Sequence, residues 1–234
     1  IPMGYELVFD DNNIGCIELD LKNGKKLKLT GKIDRADSFK DDNGTYIRVI
    51  DYKTGNKKFD YTDVFYGFDI QILIYLDALV EKNPSAKHAG ALYFKIDNPS
   101  FESSPEKEIT EEDIDKSFVM SGVVADAENV IKAYDPLSII LKGKGENNIS
   151  FTAFKQLSEY LKNEVSKSAY AMSKGEIDIN PYEILNLTPC NYCPYMSICG
   201  FNSDVNDRYR KLDKVNKMNV LDYIKRNTNG GENQ

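Results

Sequence analysis

The chain has 234 residues, 41% of them apolar and 29% charged, enough to bury a core without disulfide or metal staples and too apolar for a disordered segment. Its 30 basic and 37 acidic residues give a net charge of -7, which excludes a wholesale polyanion-binding surface and leaves room for a local basic groove. No apolar run approaches the roughly 20 residues that span a bilayer, and no secretory leader pattern opens the chain. It begins Ile1-Pro2-Met3, without an initiator methionine, and reads as a piece of a longer protein. Cys16 stands alone while Cys190, Cys193 and Cys199 crowd together, which does not fit a disulfide framework and suggests a reducing, cytoplasmic setting.

In chain order, Asn23-Gly24 and Asn43-Gly44 are hairpin signals, because a type I′ turn needs positive φ at both central positions. They predict three antiparallel strands in a meander: Cys16–Lys22, Lys25–Ile33 and Tyr46–Tyr52. A helix is expected over Thr62–Lys82, capped by Thr62 and closed by Pro84, with Val64, Phe68, Ile72, Leu76 and Leu79 at helical spacing. The run Ala89–Ile96 reads as a buried strand. A polar connector over Asp97–Glu108, a helix over Gly122–Tyr134 and a Gly- and Asn-rich loop over Lys142–Asn148 follow. A long amphipathic helix runs from Phe151 to Lys174, stopped by Gly175. Last come the cysteine cluster, a short polar helix and a frayed tail over Asn227–Gln234. The expected class is α/β (α+β), a β-β-β-α-β mixed sheet flanked by helices with a cysteine-cluster extension. The expected division is a core over 1–100, a helical extension packed on it over 101–185, the cysteine segment over 186–212 and a terminal helix and tail over 213–234.

The chemistry concentrates in Gly31-Lys32-Ile33-Asp34 and Ile50-Asp51-Tyr52-Lys53. In a strand the side-chain period is two, so Asp51 and Lys53 share a face. A symmetric hairpin about Asn43-Gly44 sets Asp34 opposite Lys53 and diagonal to Asp51. Two carboxylates that close repel unless a cation lies between them, and hard oxygen ligands suit Mg2+ or Mn2+. The lysine is placed to orient or deprotonate an attacking water and to offset charge on a phosphorane. Asp-x-Lys by itself is a cheap motif in so charged a chain; Asp34 on the neighbouring strand is what lends it weight. Gln71 and Tyr75, at i and i+4, share one helix face. The plainer reading of that pair is a rim glutamine and a satisfied core tyrosine.

In this order Gly31-x-x-Asp34, Asp51-x-Lys53 and Gln71-x-x-x-Tyr75 resemble the PD-(D/E)xK nuclease superfamily in its RecB-like branch. The wider runs are Gly31-Lys32-Ile33-Asp34-Arg35-Ala36-Asp37, Asp51-Tyr52-Lys53-Thr54-Gly55 and Gly90-Ala91-Leu92-Tyr93-Phe94. With Pro189-Cys190-Asn191-Tyr192-Cys193-Pro194-Tyr195 and Cys199-Gly200-Phe201 they resemble the carboxy-terminal nuclease domain of the AddB family, B subunits of bacterial ATP-dependent helicase/deoxyribonucleases. The resemblance covers about residues 5 to 212. It implies Asp34, Asp51 and the backbone carbonyl of Tyr52 as metal ligands, Lys53 as the catalytic lysine, and Gln71 with Tyr75 as a positioning pair. It further implies a [4Fe–4S] cluster on Cys190, Cys193, Cys199 and a fourth cysteine far upstream, so that the cluster is expected to be absent or incomplete in this chain. The implied partners are single-stranded DNA from unwound duplex ends and a helicase-bearing A subunit in a heterodimer that processes double-strand breaks.

The remaining signals have plain readings. Lys25, Lys26, Lys28 and Lys32 suit a DNA groove or, equally, a solvated hairpin face. Arg35 and Asp37 point away from Asp34 and read as a structural ion pair, and His88, without a triad partner, reads as a surface or loop residue with no role. No Gly-x4-Gly-Lys-Ser/Thr loop occurs, so no ATPase is expected here. The leading expectation is a Mg-dependent deoxyribonuclease. The alternative is a non-catalytic DNA-binding or scaffold module built around an iron–sulfur or zinc cysteine cluster.

Overall fold

The computed structural model describes residues 1–21, 24–97, 110–111, 113–114, 118–135 and 147–228. Strands β1 (Pro2–Phe9), β4 (Gly31–Asp41), β5 (Gly44–Lys53), β6 (Ala86–Lys95), β7 (Ser121–Ala125) and β8 (Asn148–Ile149) form one mixed sheet in the order β1-β4-β5-β6-β7-β8. The β1/β4, β4/β5 and β6/β7 pairs are antiparallel, and β5/β6 and β7/β8 are parallel. Along β5 the buried side chains alternate between faces. Ile47 and Val49 join the main core, while Ile50 packs with Leu92, Val124, Tyr52 and Phe94 behind the sheet.

Between β5 and β6 the chain forms α1 (Tyr61–Phe65) and α2 (Gln71–Glu81). Every residue of α2 from Ile72 to Leu79 is buried, so this helix is a middle layer rather than a surface one. One side packs on β5 and β6, and α4 (Phe151–Ser173), itself packed on α6 (Lys217–Thr228), covers the other. The α4 boundaries follow from local chemistry: Ser150 Oγ accepts from Ala153 N at 3.1 Å, and Gly175, at φ +78°, supplies the left-handed residue that ends the helix. A short helix, α3 (Glu128–Tyr134), lies after β7. Residues 174–216 carry only a 3₁₀ turn (Pro189–Tyr192), the short α5 (Met196–Cys199) and a two-stranded ribbon, β9 (Tyr182–Glu183) with β10 (Arg210–Lys211). Among the described residues no helix is long and apolar enough to cross a membrane.

Five expectations change. The meander is not continuous. Thr30 separates β3 (Lys26–Leu29) from β4, and β3 pairs only with β2 (Ile17–Asp20) as a separate hairpin. The strand that completes the sheet beside β4 is β1, which no turn signal announced. The helix over Thr62–Lys82 is broken at Tyr66–Ile70, where Gly67 adopts φ +76°. Asp60, not Thr62, caps its first part by accepting from Thr62 N at 2.8 Å. The stretch Gly122–Tyr134 is strand and then helix, because Ser121-Gly-Val-Val-Ala125 pairs with β6. Gly122 crosses β6 so closely that a Cβ there would lie 2.0 Å from the Ala91 carbonyl oxygen. His88 is a half-buried residue of β6 rather than a loop or free surface residue: its Nε2 donates to Asp77 Oδ1 at 2.7 Å, and its ring stacks on Phe154. The connector over 98–108 and the loop over 142–146 lie outside the described residues, as do tail residues 229–234, whereas Asn227 and Thr228 close α6.

Candidate active site

The β4/β5 hairpin turns on Asp42-Asn43, with Asp41 paired to Gly44 and Arg35 to Ile50. Gly44 is the first strand residue, at φ +131°, rather than part of the two-residue loop. The register therefore differs by two from the symmetric Asn43-Gly44 reading. Its continuation sets Asp34 opposite Asp51 and diagonal to Lys53. A shift of two preserves the face, so the three charged groups still converge.

Asp34 Oδ2 accepts from the Tyr52 backbone N–H at 2.9 Å, which stitches β4 to β5 just beyond their last ladder pair and leaves Oδ1 for other work. Asp51 is 6% exposed, and Lys53 Nζ lies 2.6 Å from its Oδ2. Burial pushes the Asp51 carboxyl above its ordinary pKa. The Lys53 ammonium pulls the other way, and the charges of Asp34 and Asp69 add to the push. Gln71 Nε2 donates to the Tyr75 hydroxyl at 2.5 Å on the first turn of α2. A Cβ on Gly31 would lie 3.0 Å from Tyr75 Cε1 and 2.9 Å from the Phe9 ring, so a glycine here lets Tyr75 close on β4 three residues before Asp34.

Asp69, Lys57 and Tyr93 belong to the same region, and the sequence reading gave none of them a role. Tyr93 pairs in register with Asp51, and its hydroxyl donates to Asp69 Oδ1 at 2.8 Å. Lys57 Nζ lies 2.9 Å from Asp69 Oδ2. Gly67, a glycine inside a helical pattern, was the available signal that Asp69 leaves the helix. The Oδ2 atoms of Asp51 and Asp69 are buried oxygens to which, among the described residues, no N–H or O–H donates in good geometry; each has one ammonium beside it. Asp34, Asp51 and the Tyr52 carbonyl are hard oxygen donors, and the under-satisfied Asp51 oxygen fits a divalent cation that competes with Lys53 for it.

Other candidates resolve plainly. Asp37 is buried between Arg35 Nε at 2.9 Å and Arg48, whose Nε is also 2.9 Å away, as the structural ion pair requires. Lys26 pairs with Glu18, Lys28 with Asp11, and Lys32 with Glu6, all on exposed surface. Lys25 also has a partner. Cys16 donates to Asp11 Oδ1 at 3.1 Å. Cys190 lies in the 3₁₀ turn, Cys193 follows it and Cys199 ends α5, all three partly exposed.

A family model described as the PD-(D/E)XK nuclease superfamily matches residues 1–200. A relative from Alkaliphilus oremlandii, named as the B subunit of an ATP-dependent helicase/deoxyribonuclease, is 34% identical over 248 residues, covering 97% of this chain and 22% of its own length. Proteins of the same name from Clostridium kluyveri and Clostridium tetani are 35% and 36% identical, covering 96% of this chain and 22% and 21% of theirs. The chain spans about a fifth of the length of these curated relatives. Because the family match runs through both carboxylate strands, the buried helix behind them and the long helix that covers it, this chain belongs to the PD-(D/E)XK nuclease superfamily.

Proposed function

We propose that the domain is a metal-dependent deoxyribonuclease that acts on single-stranded DNA. The observation that carries the reading is the facing of Asp34 and Asp51 across two strands, with Lys53 Nζ 2.6 Å from the buried Asp51 oxygen. Asp34, Asp51 and the Tyr52 carbonyl would hold Mg2+ or Mn2+, which when bound supplies Lewis-acid polarisation of a phosphodiester. Lys53 is diagonal to Asp34 and on the same face; its ammonium orients the attacking water and offsets negative charge growing on the phosphorane. Gln71, bonded to Tyr75 on the first turn of α2, would help to position the substrate.

The relatives' names support a wider setting. In it this domain works inside a larger helicase/deoxyribonuclease chain, alongside a helicase-bearing A subunit that feeds it unwound strands during double-strand break processing. Cys190, Cys193 and Cys199 would hold three corners of a [4Fe–4S] cluster, completed by an upstream cysteine.

The test is cleavage of a labelled single strand by this chain with Mg2+ or Mn2+. Asp51→Ala should abolish cleavage while the melting transition survives. Cleavage that needs no divalent ion, or an Asp51→Ala variant as active as its parent, would overturn the assignment and return the domain to a binding or scaffold role.

A further inference from the structure

Beside the carboxylates stands a group of side chains that the cleavage chemistry does not use. Lys57 is 38% exposed, and a single carboxylate contact, with Asp69, leaves two of its three donors for other partners. Asp69 in turn accepts from Tyr93, the register partner of Asp51, so two residues separate Lys57 from a catalytic carboxylate. Phe68, next in sequence to Asp69, is 38% exposed although it is a large aromatic. Its ring lies 4.1 Å from that of Tyr182 on β9, only 10° from parallel, and 5.8 Å from that of Tyr66 at 28°. Phe68 and Asp69 are consecutive residues, so the ring stack and the ammonium that Asp69 holds are neighbours.

We propose that Lys57 and the stacked rings of Phe68 and Tyr182 form a nucleotide subsite flanking the carboxylates, Lys57 taking a phosphate and the ring stack the adjacent base of a single-stranded DNA. The inference rests on the nuclease reading and deepens it. A chain of net charge -7 cannot hold a polyanion by bulk attraction, so affinity depends on cations fixed near the cleavage point. Asp69 supplies the fixing by holding Lys57 at 2.9 Å. Every base has a π-face, so an exposed ring such as Phe68 gives grip without sequence preference, which suits an enzyme that acts on a strand of any sequence. The plainer role for the rings is to staple β9 onto the 66–70 loop, and the test separates the two.

Binding of a fluorescent oligothymidylate is measured in an Asp51→Asn background, in which the nuclease reading expects no cutting. Lys57→Ala should lower the slope of log affinity against log salt by about 0.7, the single-strand value for one phosphate contact, and Lys57→Arg should restore it. Phe68→Ala should weaken binding about tenfold, within the range for one base on one ring, yet leave the affinity for an abasic strand of equal length unchanged. Phe68→Leu keeps the bulk of a staple without its flat face and should show the same base-dependent loss if the alanine variant unfolds. An unchanged salt slope in Lys57→Ala, or equal losses on both strands in Phe68→Leu, overturns the subsite. If the parent still cleaves with Mg2+ after that result, the nuclease reading survives and the subsite alone falls. A parent that neither binds nor cleaves the strand takes both down.

Discussion

Replacing Asp77 with alanine should unfold this protein far more readily than its distance from the carboxylate strands suggests. Asp77 is 3% exposed on α2 and accepts from two other elements: Ser158 Oγ on α4 at 2.6 Å and His88 Nε2 on β6 at 2.7 Å. A carboxylate only accepts, so both partners donate, and both lose their acceptor when it is removed. Hydrogen bonds to a charged group are worth about 1.5–3 kcal/mol each, so losing two of them puts the loss at about 4 kcal/mol. For a chain of this size each kcal/mol moves Tm by about 2–4 °C, so a fall of roughly 8–16 °C is expected. Urea unfolding followed by far-UV circular dichroism gives the loss directly, and Asp77→Asn, which keeps one acceptor oxygen, should lose less than half as much. An Asp77→Ala loss below about 1 kcal/mol would show that the three groups do not clamp α2 between β6 and α4.

Further outcomes can be checked. Divalent Mg2+ or Mn2+ at about a hundred times its Kd should raise the parent's stability by about 2.7 kcal/mol and leave Asp51→Asn almost unmoved, read as Tm with and without chelator. Equal shifts in both proteins would place the cation elsewhere. Lys53→Ala should lose at least ~2–3 kcal/mol of transition-state stabilisation in kcat/KM, with an unchanged fold by circular dichroism. Gly122→Ala, whose Cβ would lie 2.0 Å from a β6 carbonyl oxygen, should cost at least about 1–3 kcal/mol through forced separation of β6 and β7; an unchanged urea midpoint would contradict the close crossing. Gly67→Ala meets no atom within 4 Å and should cost only the left-handed backbone penalty of about 1–2 kcal/mol, measured by the same unfolding curves.

What was legible in the sequence was local. The β-branched run in β5, the shared face of Asp51 and Lys53, and both ends of α4 each rest on chemistry within a few residues. The hairpin was legible as a hairpin, but its turn took Asp42-Asn43 because Gly44 carries its positive φ inside the first strand pair. The unread parts depend on distant partners. β1 buries only Phe9 fully and carries a weak pattern, so its place beside β4 is set by pairing across the intervening hairpin. The break before α2 looked helical because Phe68 fits the apolar spacing. In the folded chain that ring goes outward to Tyr182, while Asp69 turns in to Tyr93. His88 had no neighbour in sequence to announce Asp77 or Ser158.

The burial of α2 on all sides also governs how this domain can respond in time. Its amide hydrogens sit under the sheet on one side and α4 on the other, so their exchange with solvent should require opening of the whole core. Tyr75 is thus carried on the slowest-exchanging part of the molecule, with Gln71 at its exposed first residue. The glycine-broken stretch 66–70, with Phe68 facing water, has far less holding it and should open in much smaller excursions. Adjustment to a passing strand is confined to the rim, and the wall behind the carboxylates stays rigid until the protein itself unfolds.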